Sequence, residues 1–192
     1  MAALQAQQFR VENNRFRDAT GGVLQYRSNV TPNDQISLYG QYTQLRYPGA
    51  DARNADRAVL GAAWAHAYSG VAGSPVMYAG VYGGKEDEQN GAFPHFGHDL
   101  AGGRIGGQIG VSEKWTLTAN ASYEERKYGG PDPLFLVNRK DKELQLRGAA
   151  IYQLDKNWSV TPAVTFTDVR SNIVVNDYDR TMISITGRYD FR

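Results

Sequence analysis

Residues 181–192 read T-M-I-S-I-T-G-R-Y-D-F-R and alternate without interruption between an apolar and a polar face. Ile183, Ile185, Tyr189 and Phe191 fall on one face, and mostly polar or charged residues fall on the other. Alternation with a period of two predicts a β-strand that has one face in an apolar environment and one face in water. Such a strand suits a soluble sheet, and it also suits a membrane barrel whose apolar face meets lipid.

The composition narrows the classes of function. A chain of 192 residues fits a single domain. It contains no run of about 18 apolar residues, so no transmembrane helix is predicted, but barrel strands are hydrophobic only at alternate positions and escape this test. The chain has no cysteine, which excludes disulfide scaffolds, thiolate metal sites and cysteine catalysis. A net charge of +1 with mixed signs gives no indication of nucleic-acid binding.

Ten strand-like runs with turn or loop segments between them are predicted. They are residues 7–17, 23–30, 35–47, 57–68, 75–84, 99–111, 115–128, 142–154, 158–169 and 181–192. Segment 18–22 is predicted to be a turn, and segment 85–98 a long charged loop. Short and long connections alternate, as they do in outer-membrane barrels, and the strands are longer than the soluble average of about 5 to 6 residues.

A hairpin repeat supports the same interpretation. E-K-W-T-L-T at 113–118 matches K-N-W-S-V-T at 156–161, and residues 34–38 form a weaker third copy. Both strong copies place a tryptophan directly after a short turn, where barrels carry an aromatic girdle. The predicted membrane-interface belt consists of Trp115, Trp158, Tyr189 and Phe191.

The alternative is a soluble β-sandwich or lipocalin-like cup whose apolar face points inward. Against it, the apolar faces are rich in glycine, alanine and threonine and lack the bulk of a packed core. We therefore predict an all-β, antiparallel, up-and-down transmembrane β-barrel of about ten strands, with short periplasmic turns and long extracellular loops. It occupies residues 1–192 as one domain. If ten strands close the barrel, the last strand pairs with the weak first one, and the alternative is a larger or multi-chain barrel.

The polar faces of the strands carry many charges that would point into the barrel. In a narrow barrel the side chains fill most of the interior, so opposite charges are expected to form a network of salt bridges. A constriction that selects solutes is the functional alternative. The predicted lumen network is Arg10, Glu12, Arg27, Arg104, Glu124, Arg126, Glu143, Arg147, Arg188 and Asp190.

Candidate catalytic and metal-binding residues are few. His66 is followed by Ser69, whose spacing puts the two residues on opposite faces of a strand, so an interfacial histidine is favoured over a hydrolase. His95 and His98 lie beside Asp99 in a predicted loop that does not form a closed metal site. No acidic residue pairs with histidine in the manner of outer-membrane proteases. The sequence thus predicts no enzyme, no cofactor and no metal.

Several motifs in the second half carry a family resemblance: F-G-H-D-L-A-G-G-R-I-G-G-Q at 96–108, Y-G-G-P-D-P-L-F at 128–135, R-K-D at 139–141, and S-N-I with D-Y-D-R-T at 171–181. Together they resemble the C-terminal β-barrel of Gram-negative outer-membrane proteins with upstream tetratricopeptide repeats, a group similar to the surface lipoprotein assembly modifiers. The family's barrels are larger and follow a repeat domain, and the C-terminal aromatic, here Phe191, is penultimate. The chain is therefore expected to be a fragment or shortened form of such a barrel.

The resemblance implies a function in export of a surface lipoprotein or polymer across the outer membrane. Its expected partners are outer-membrane lipid and lipopolysaccharide, an exported lipoprotein or polymer, and the barrel-assembly machinery, which would bind the C-terminal strand. A small structural or narrow-pore, porin-like barrel is the alternative, and an outer-membrane hydrolase is the least favoured. Residues 1–4 do not form an export signal, so a mature or shortened chain is expected.

Overall fold

Period-two alternation produces one antiparallel sheet of ten strands, each hydrogen-bonded to its neighbours in sequence. The computed structural model describes residues 1–191. The strands are β1 (Ala2–Val11), β2 (Asn14–Asn29), β3 (Asp34–Arg46), β4 (Ala55–Ala67), β5 (Val76–Glu88), β6 (His98–Gly110), β7 (Trp115–Pro131), β8 (Asn138–Gln153), β9 (Trp158–Ser171) and β10 (Tyr178–Tyr189). One-turn 3₁₀ helices occupy Asp51–Arg53 and Val174–Asn176. No helix in this described range is long and apolar enough to cross a membrane.

The two faces of the sheet have the opposite character to those of a soluble protein. On one face large hydrophobic side chains are exposed, with 72% of Leu60, 77% of Ile183 and 76% of Ile185 accessible. On the other face polar side chains such as Thr165 and Thr167 are buried. A soluble sheet hides its apolar face, so this arrangement argues against the sandwich and the cup. The predicted all-β, up-and-down antiparallel architecture is confirmed.

The N-terminal hairpin differs from the sequence prediction. A strand at 7–17 is wrong, because Glu12 and Asn13 adopt positive φ angles of 49° and 67° and form a two-residue turn between β1 and β2. Adjacent positive φ angles are typical of the tight hairpin turns that match strand twist. The predicted turn at 18–22 is also wrong, since these residues lie within β2.

Gly21 explains why segment 18–22 resembled a turn. A Cβ atom on Gly21 would lie 2.1 Å from the carbonyl oxygen of Tyr42 on the neighbouring strand. Glycine is needed here because two backbones approach closely, which is a role of glycine inside strands as well as in turns. Sequence alone does not distinguish these two roles.

The charged segment 85–98 is shorter as a loop than predicted. Its first four residues belong to β5, where Lys85 lies opposite Asp99 and Glu86 lies opposite His98. Opposite charges on facing strands support pairing rather than a solvated loop tip. The strands therefore rise further at the long-loop rim than the hydrophobic pattern indicates.

The short turns share one hydrogen-bonding device, which confirms the predicted hairpin repeat. In the turn before β9, Asp155 Oδ1 accepts hydrogen bonds from the backbone N–H groups of Asn157 at 2.8 Å and Trp158 at 2.9 Å. Ser112 Oγ accepts from Lys114 and Trp115 in the same way. The weaker third copy follows suit, because Thr31 Oγ1 accepts from residues 33 and 34. Each turn thus satisfies two N–H donors that the ladder leaves free.

Replacing Asp155 with alanine is expected to lower the urea concentration at the midpoint of unfolding. The size of this loss should depend on pH. The two backbone N–H groups of Asn157 and Trp158 stabilise the carboxylate and hold the pKa of Asp155 below its usual value of 3.8. The pKa of Asp155 is lower in the folded state than in the unfolded state. The carboxylate's contribution to the free energy of unfolding is therefore complete above the unfolded pKa and is lost as pH falls through the folded pKa. The difference between wild type and Asp155→Ala should therefore shrink below about pH 4. A difference that is the same at pH 7 and pH 3 would contradict this assignment.

The edge strands are unpaired on their outer sides. Within residues 1–191, β1 pairs only with β2 and β10 only with β9, so the predicted closure of the last strand on the first is not found. An open sheet edge is not tolerated in lipid, where every backbone N–H and C=O group needs a partner. The backbone groups of both edges therefore need partners when the sheet is in a membrane.

Cysteine pairs test whether the ten strands close on themselves. Leu4 or Ala6 on β1 combined with Ile185 on β10 is expected to give no intrachain disulfide in the folded protein, because these strands do not pair. Ile183 with Val164 is the control, since these residues lie directly opposite each other across β10 and β9 and should form a bond. Mass spectrometry of the folded, oxidised sample reads the result, and an intrachain β1–β10 bond would establish a closed ten-stranded barrel.

Candidate functional site

Tyrosines lying over glycines shape the polar face of the sheet. Tyr82 on β5 is opposite Gly102 on β6, and a Cβ atom on Gly102 would lie 2.6 Å from the tyrosine ring. Tyr39 lies over Gly61 in the same manner. Because glycine has no side chain, each tyrosine can lie flat across the neighbouring strand and carry its hydroxyl further along the sheet. Tyr82 thereby reaches Glu124 and donates a hydrogen bond of 2.9 Å to its Oε2.

Arg126 is the centre of a charged network on this polar face. Glu124 on β7 and Glu143 on β8 lie directly opposite each other, an arrangement that is unfavourable for two carboxylates. Arg126 joins them, with its Nε 2.6 Å from Glu124 and its Nη2 2.8 Å from Glu143. Glu124 is buried, so Arg126 is an important partner for its carboxylate.

Two residues that the sequence did not single out extend the network. Arg57 on β4 lies 3.9 Å from Glu86 and 4.0 Å from Glu124. Glu86 falls in the segment predicted to be a loop, and Arg57 is not among the predicted inward-facing residues. The register would have revealed both, because Arg57 and Glu86 are directly opposite across β4 and β5. The network of Arg57, Glu86, Glu124, Arg126 and Glu143 thus spans β4 to β8.

The remaining predicted network residues do not join this cluster. Arg104 lies over the ring of Tyr39 at 5.5 Å, Arg27 donates to Gln25, and Arg188 pairs with Asp190 near the chain end. Arg147 lies on the same polar face without an ion pair in the described chain. Arg10 is exposed and donates to Gln8 on the edge strand, so it does not join the cluster. Glu12 is wrong as an inward residue, because it lies in the β1–β2 turn.

A polar cavity of about 250 Å³ lies at the long-loop rim above the network. The guanidinium of Arg53 lies 5.4 Å from the ring of Tyr47 and 5.6 Å from that of Phe96. His98 is 8% exposed, stacks on Tyr128, and its ring nitrogens lack hydrogen-bond partners among the described residues. The larger grooves lie on the apolar face and are lined mainly by aliphatic side chains, as expected of a lipid-facing surface.

His66 pairs with a carboxylate on the neighbouring strand and not with Ser69. Nδ1 of His66 is 2.7 Å from Oδ1 of Asp34, and Trp64 donates to the same oxygen at 3.0 Å. Ser69 instead donates to Asn33, away from the imidazole. His98 and Asp99 follow each other on β6 and so point to opposite faces. Residues 1–191 contain no group of three metal-ligating side chains.

The four predicted belt residues lie at the short-turn rim of the apolar face, and three of them contact one another. The rings of Trp158 and Tyr189 are 4.9 Å apart, and those of Tyr189 and Phe191 are 4.7 Å apart. Trp115 stacks on Tyr152 at 4.7 Å. Phe191, two residues beyond the end of β10, is 91% exposed and adds an apolar surface there. Aromatic rings at one level suit a membrane interface, which remains a prediction for these residues.

Comparison with solved structures supports the outer-membrane fold. The protein is similar to a loop L8 deletion mutant of OmpT, described as an outer membrane protein of Vibrio cholerae, with a TM-score of 0.55 and 11% sequence identity. The match covers 98% of this chain and 58% of the other, so the chain spans little more than half the length of that protein. At this identity the likeness concerns the fold alone. No curated protein matches the sequence.

The sequence profile of one protein family covers nearly the whole chain. The family is described as "Surface lipoprotein assembly modifier", and its profile matches residues 3–191. With the outer-membrane fold, this match locates the protein in the outer membrane of a Gram-negative bacterium. The chain belongs to the family of surface lipoprotein assembly modifiers.

Proposed function

We propose that this barrel assists the export of a surface lipoprotein across the outer membrane, and that the polar face of the sheet is the surface along which the cargo moves. Membership of the family carries the proposal, since its description names surface lipoprotein assembly. The network from Arg57 to Glu143 supports it, because it gives the interior wall a set of opposed charges at the long-loop rim.

The chemistry of such a wall suits a polypeptide cargo. Paired charges such as Arg126 with Glu124 and Glu143 are mutually satisfied, so they bind a passing chain weakly and release it. Arg147 and Arg104 lack ion pairs within the described part of the sheet and offer cations to acidic segments of the cargo. The proposal is a passive one, without a catalytic step, a cofactor or a metal.

Surface display of lipoprotein in intact cells tests this function. Loss of the gene is expected to reduce the lipoprotein that added protease can cleave at the cell surface, and the wild-type gene should restore it. Arg147→Glu should restore it poorly while the barrel itself accumulates normally, because this residue has no internal partner to lose. Lys156→Glu makes the same charge change in a short turn and is the control. Equal display with and without the gene would refute the export function.

A narrow-pore barrel is the second candidate, favoured by the self-satisfied charge network, which needs no cargo. Planar-bilayer recordings separate the two, because a porin-like barrel conducts ions steadily without any lipoprotein present. A hydrolase is the third, and hydrolysis of lipopolysaccharide or peptide that is lost in His66→Ala would establish it. We also propose that the last strand, together with the exposed Phe191 that follows it, contacts the barrel-assembly machinery.

A further inference from the structure

A second group of charges lies on the apolar face of the sheet, beyond the hydrophobic band at the long-loop rim. We call Lys127, Lys140, Lys142 and Arg170 the outer basic cluster. They come from β7, β8 and β9, and all four are exposed, with 63% of the Lys142 side chain and 69% of the Arg170 side chain accessible. Nothing in the charge network on the polar face requires them.

The register places like charges directly against each other in this cluster. Lys127 on β7 is opposite Lys140 on β8, and Lys142 on β8 is opposite Arg170 on β9. Lys140 and Lys142 are two residues apart on one strand, so all four side chains leave the same face. Like charges at directly opposite positions destabilise a sheet unless a counter-ion lies between them.

The polar face shows how the same problem is solved internally. There Glu124 and Glu143 are opposite each other, and Arg126 lies between them with contacts to both. In the outer basic cluster only one of the two like-charged pairs is compensated within the described residues, since Glu125 is 3.9 Å from Lys142 and Asp168 is 3.0 Å from Arg170.

The two remaining lysines of the cluster have no such neighbouring carboxylate in the described chain. Lys127 and Lys140 have no carboxylate within ion-pair distance in residues 1–191, although Asp99 is opposite Lys127. Both ammonium groups are therefore available to an anion from outside the protein.

The position of the cluster identifies the kind of anion. One row from Lys142 and Arg170 towards the middle of the strands, the apolar face presents Tyr123 and Leu144 beside Asp168, and the next row presents Leu146 and Phe166. The four apolar or aromatic side chains are exposed. A lipid whose acyl chains cover this band would place its headgroup at the level of the cluster. Lysine and arginine are the side chains that bind phosphate groups.

We propose that the outer basic cluster binds the phosphate groups of an anionic glycolipid in the outer leaflet, of which lipopolysaccharide is the available form. The lipid's acyl chains lie on Leu144, Leu146 and Phe166, and its phosphates supply the missing counter-ion between Lys127 and Lys140. This site lies on the outside of the sheet and is independent of any cargo on the polar face.

Binding of the full chain in detergent to lipopolysaccharide, followed by native mass spectrometry, tests the site. Lys127→Gln combined with Lys140→Gln is expected to weaken binding by about thirtyfold, since each of the two cations contributes about 1 kcal/mol near an anionic surface. Lys114→Gln with Lys156→Gln removes the same charge from the opposite rim and should bind as wild type does. Each variant should show the same change of gel mobility on heating as the wild type, which checks that it folds.

Two further probes distinguish the sources of phosphate. Lipopolysaccharide stripped of its phosphates should bind wild type as weakly as intact lipid binds the double variant, and inorganic phosphate alone should bind far more weakly than the lipid. Equal binding of intact and stripped lipid, or an equal loss in the control variant, would overturn the proposal. Inorganic phosphate binding as tightly as the lipid would overturn the assignment to a glycolipid.

Discussion

Arg126→Ala is expected to lower the free energy of unfolding by about 3 kcal/mol. The substitution leaves Glu124 and Glu143 directly opposite each other without the guanidinium that joins them. Glu124 is buried, so water cannot screen the repulsion. About a quarter of the Arg126 side chain is exposed, at 25%, which places the effect at the lower end of the range for buried pairs.

Urea unfolding in detergent, followed by tryptophan fluorescence, measures this loss. Arg147→Ala is the matched control, because it removes an arginine from the same face of the sheet, on β8, without breaking an ion pair among the described residues. It should change the free energy of unfolding by no more than about 0.5 kcal/mol. Adding Glu143→Gln to Arg126→Ala should recover part of the loss, since only one carboxylate then remains. Equal losses for Arg126→Ala and Arg147→Ala would show that the network does not stabilise the sheet.

Gly84→Val is expected to cost about 3 kcal/mol or to prevent folding. A Cβ atom at Gly84 would lie 2.3 Å from the carbonyl oxygen of Ala58 and 2.9 Å from the Cα of Val59, so the added side chain meets backbone that cannot rotate away. The strain falls between β4 and β5 in the middle of the sheet, where neighbouring strands hold the backbone on both sides. Repacking alone cannot relieve it.

Gly148→Val is the control for this change, because a Cβ atom there would meet nothing within 4 Å. Gly148 is exposed among the apolar side chains, so an added valine should leave stability nearly unchanged. If Gly84→Val does not fold, Gly84→Ala gives a smaller loss that can still be measured by urea unfolding. Identical midpoints for valine at positions 84 and 148 would contradict the close approach of β4 and β5.

The sequence was informative where a pattern is local. Alternation identified β3 to β10, and the placement of Trp115 and Trp158 after short turns marked a repeat whose hydrogen bonds the structure confirms. It failed at the N-terminal hairpin, where Gly21 and Gly22 resembled a turn and the true turn at Glu12 and Asn13 carried no glycine. Glycine serves both tight turns and close strand packing, and only the neighbouring strand distinguishes these roles.

The sequence by itself determined the class of this protein. A strict period of two, long strands and aromatic residues after short turns specify an antiparallel membrane sheet, because each of these is a local consequence of having lipid on one face. Which charges meet depended on the tertiary structure. Partners such as Arg57 with Glu86 or Glu124 lie far apart along the chain. A shift of one residue in register would turn every side chain of a strand to the opposite face.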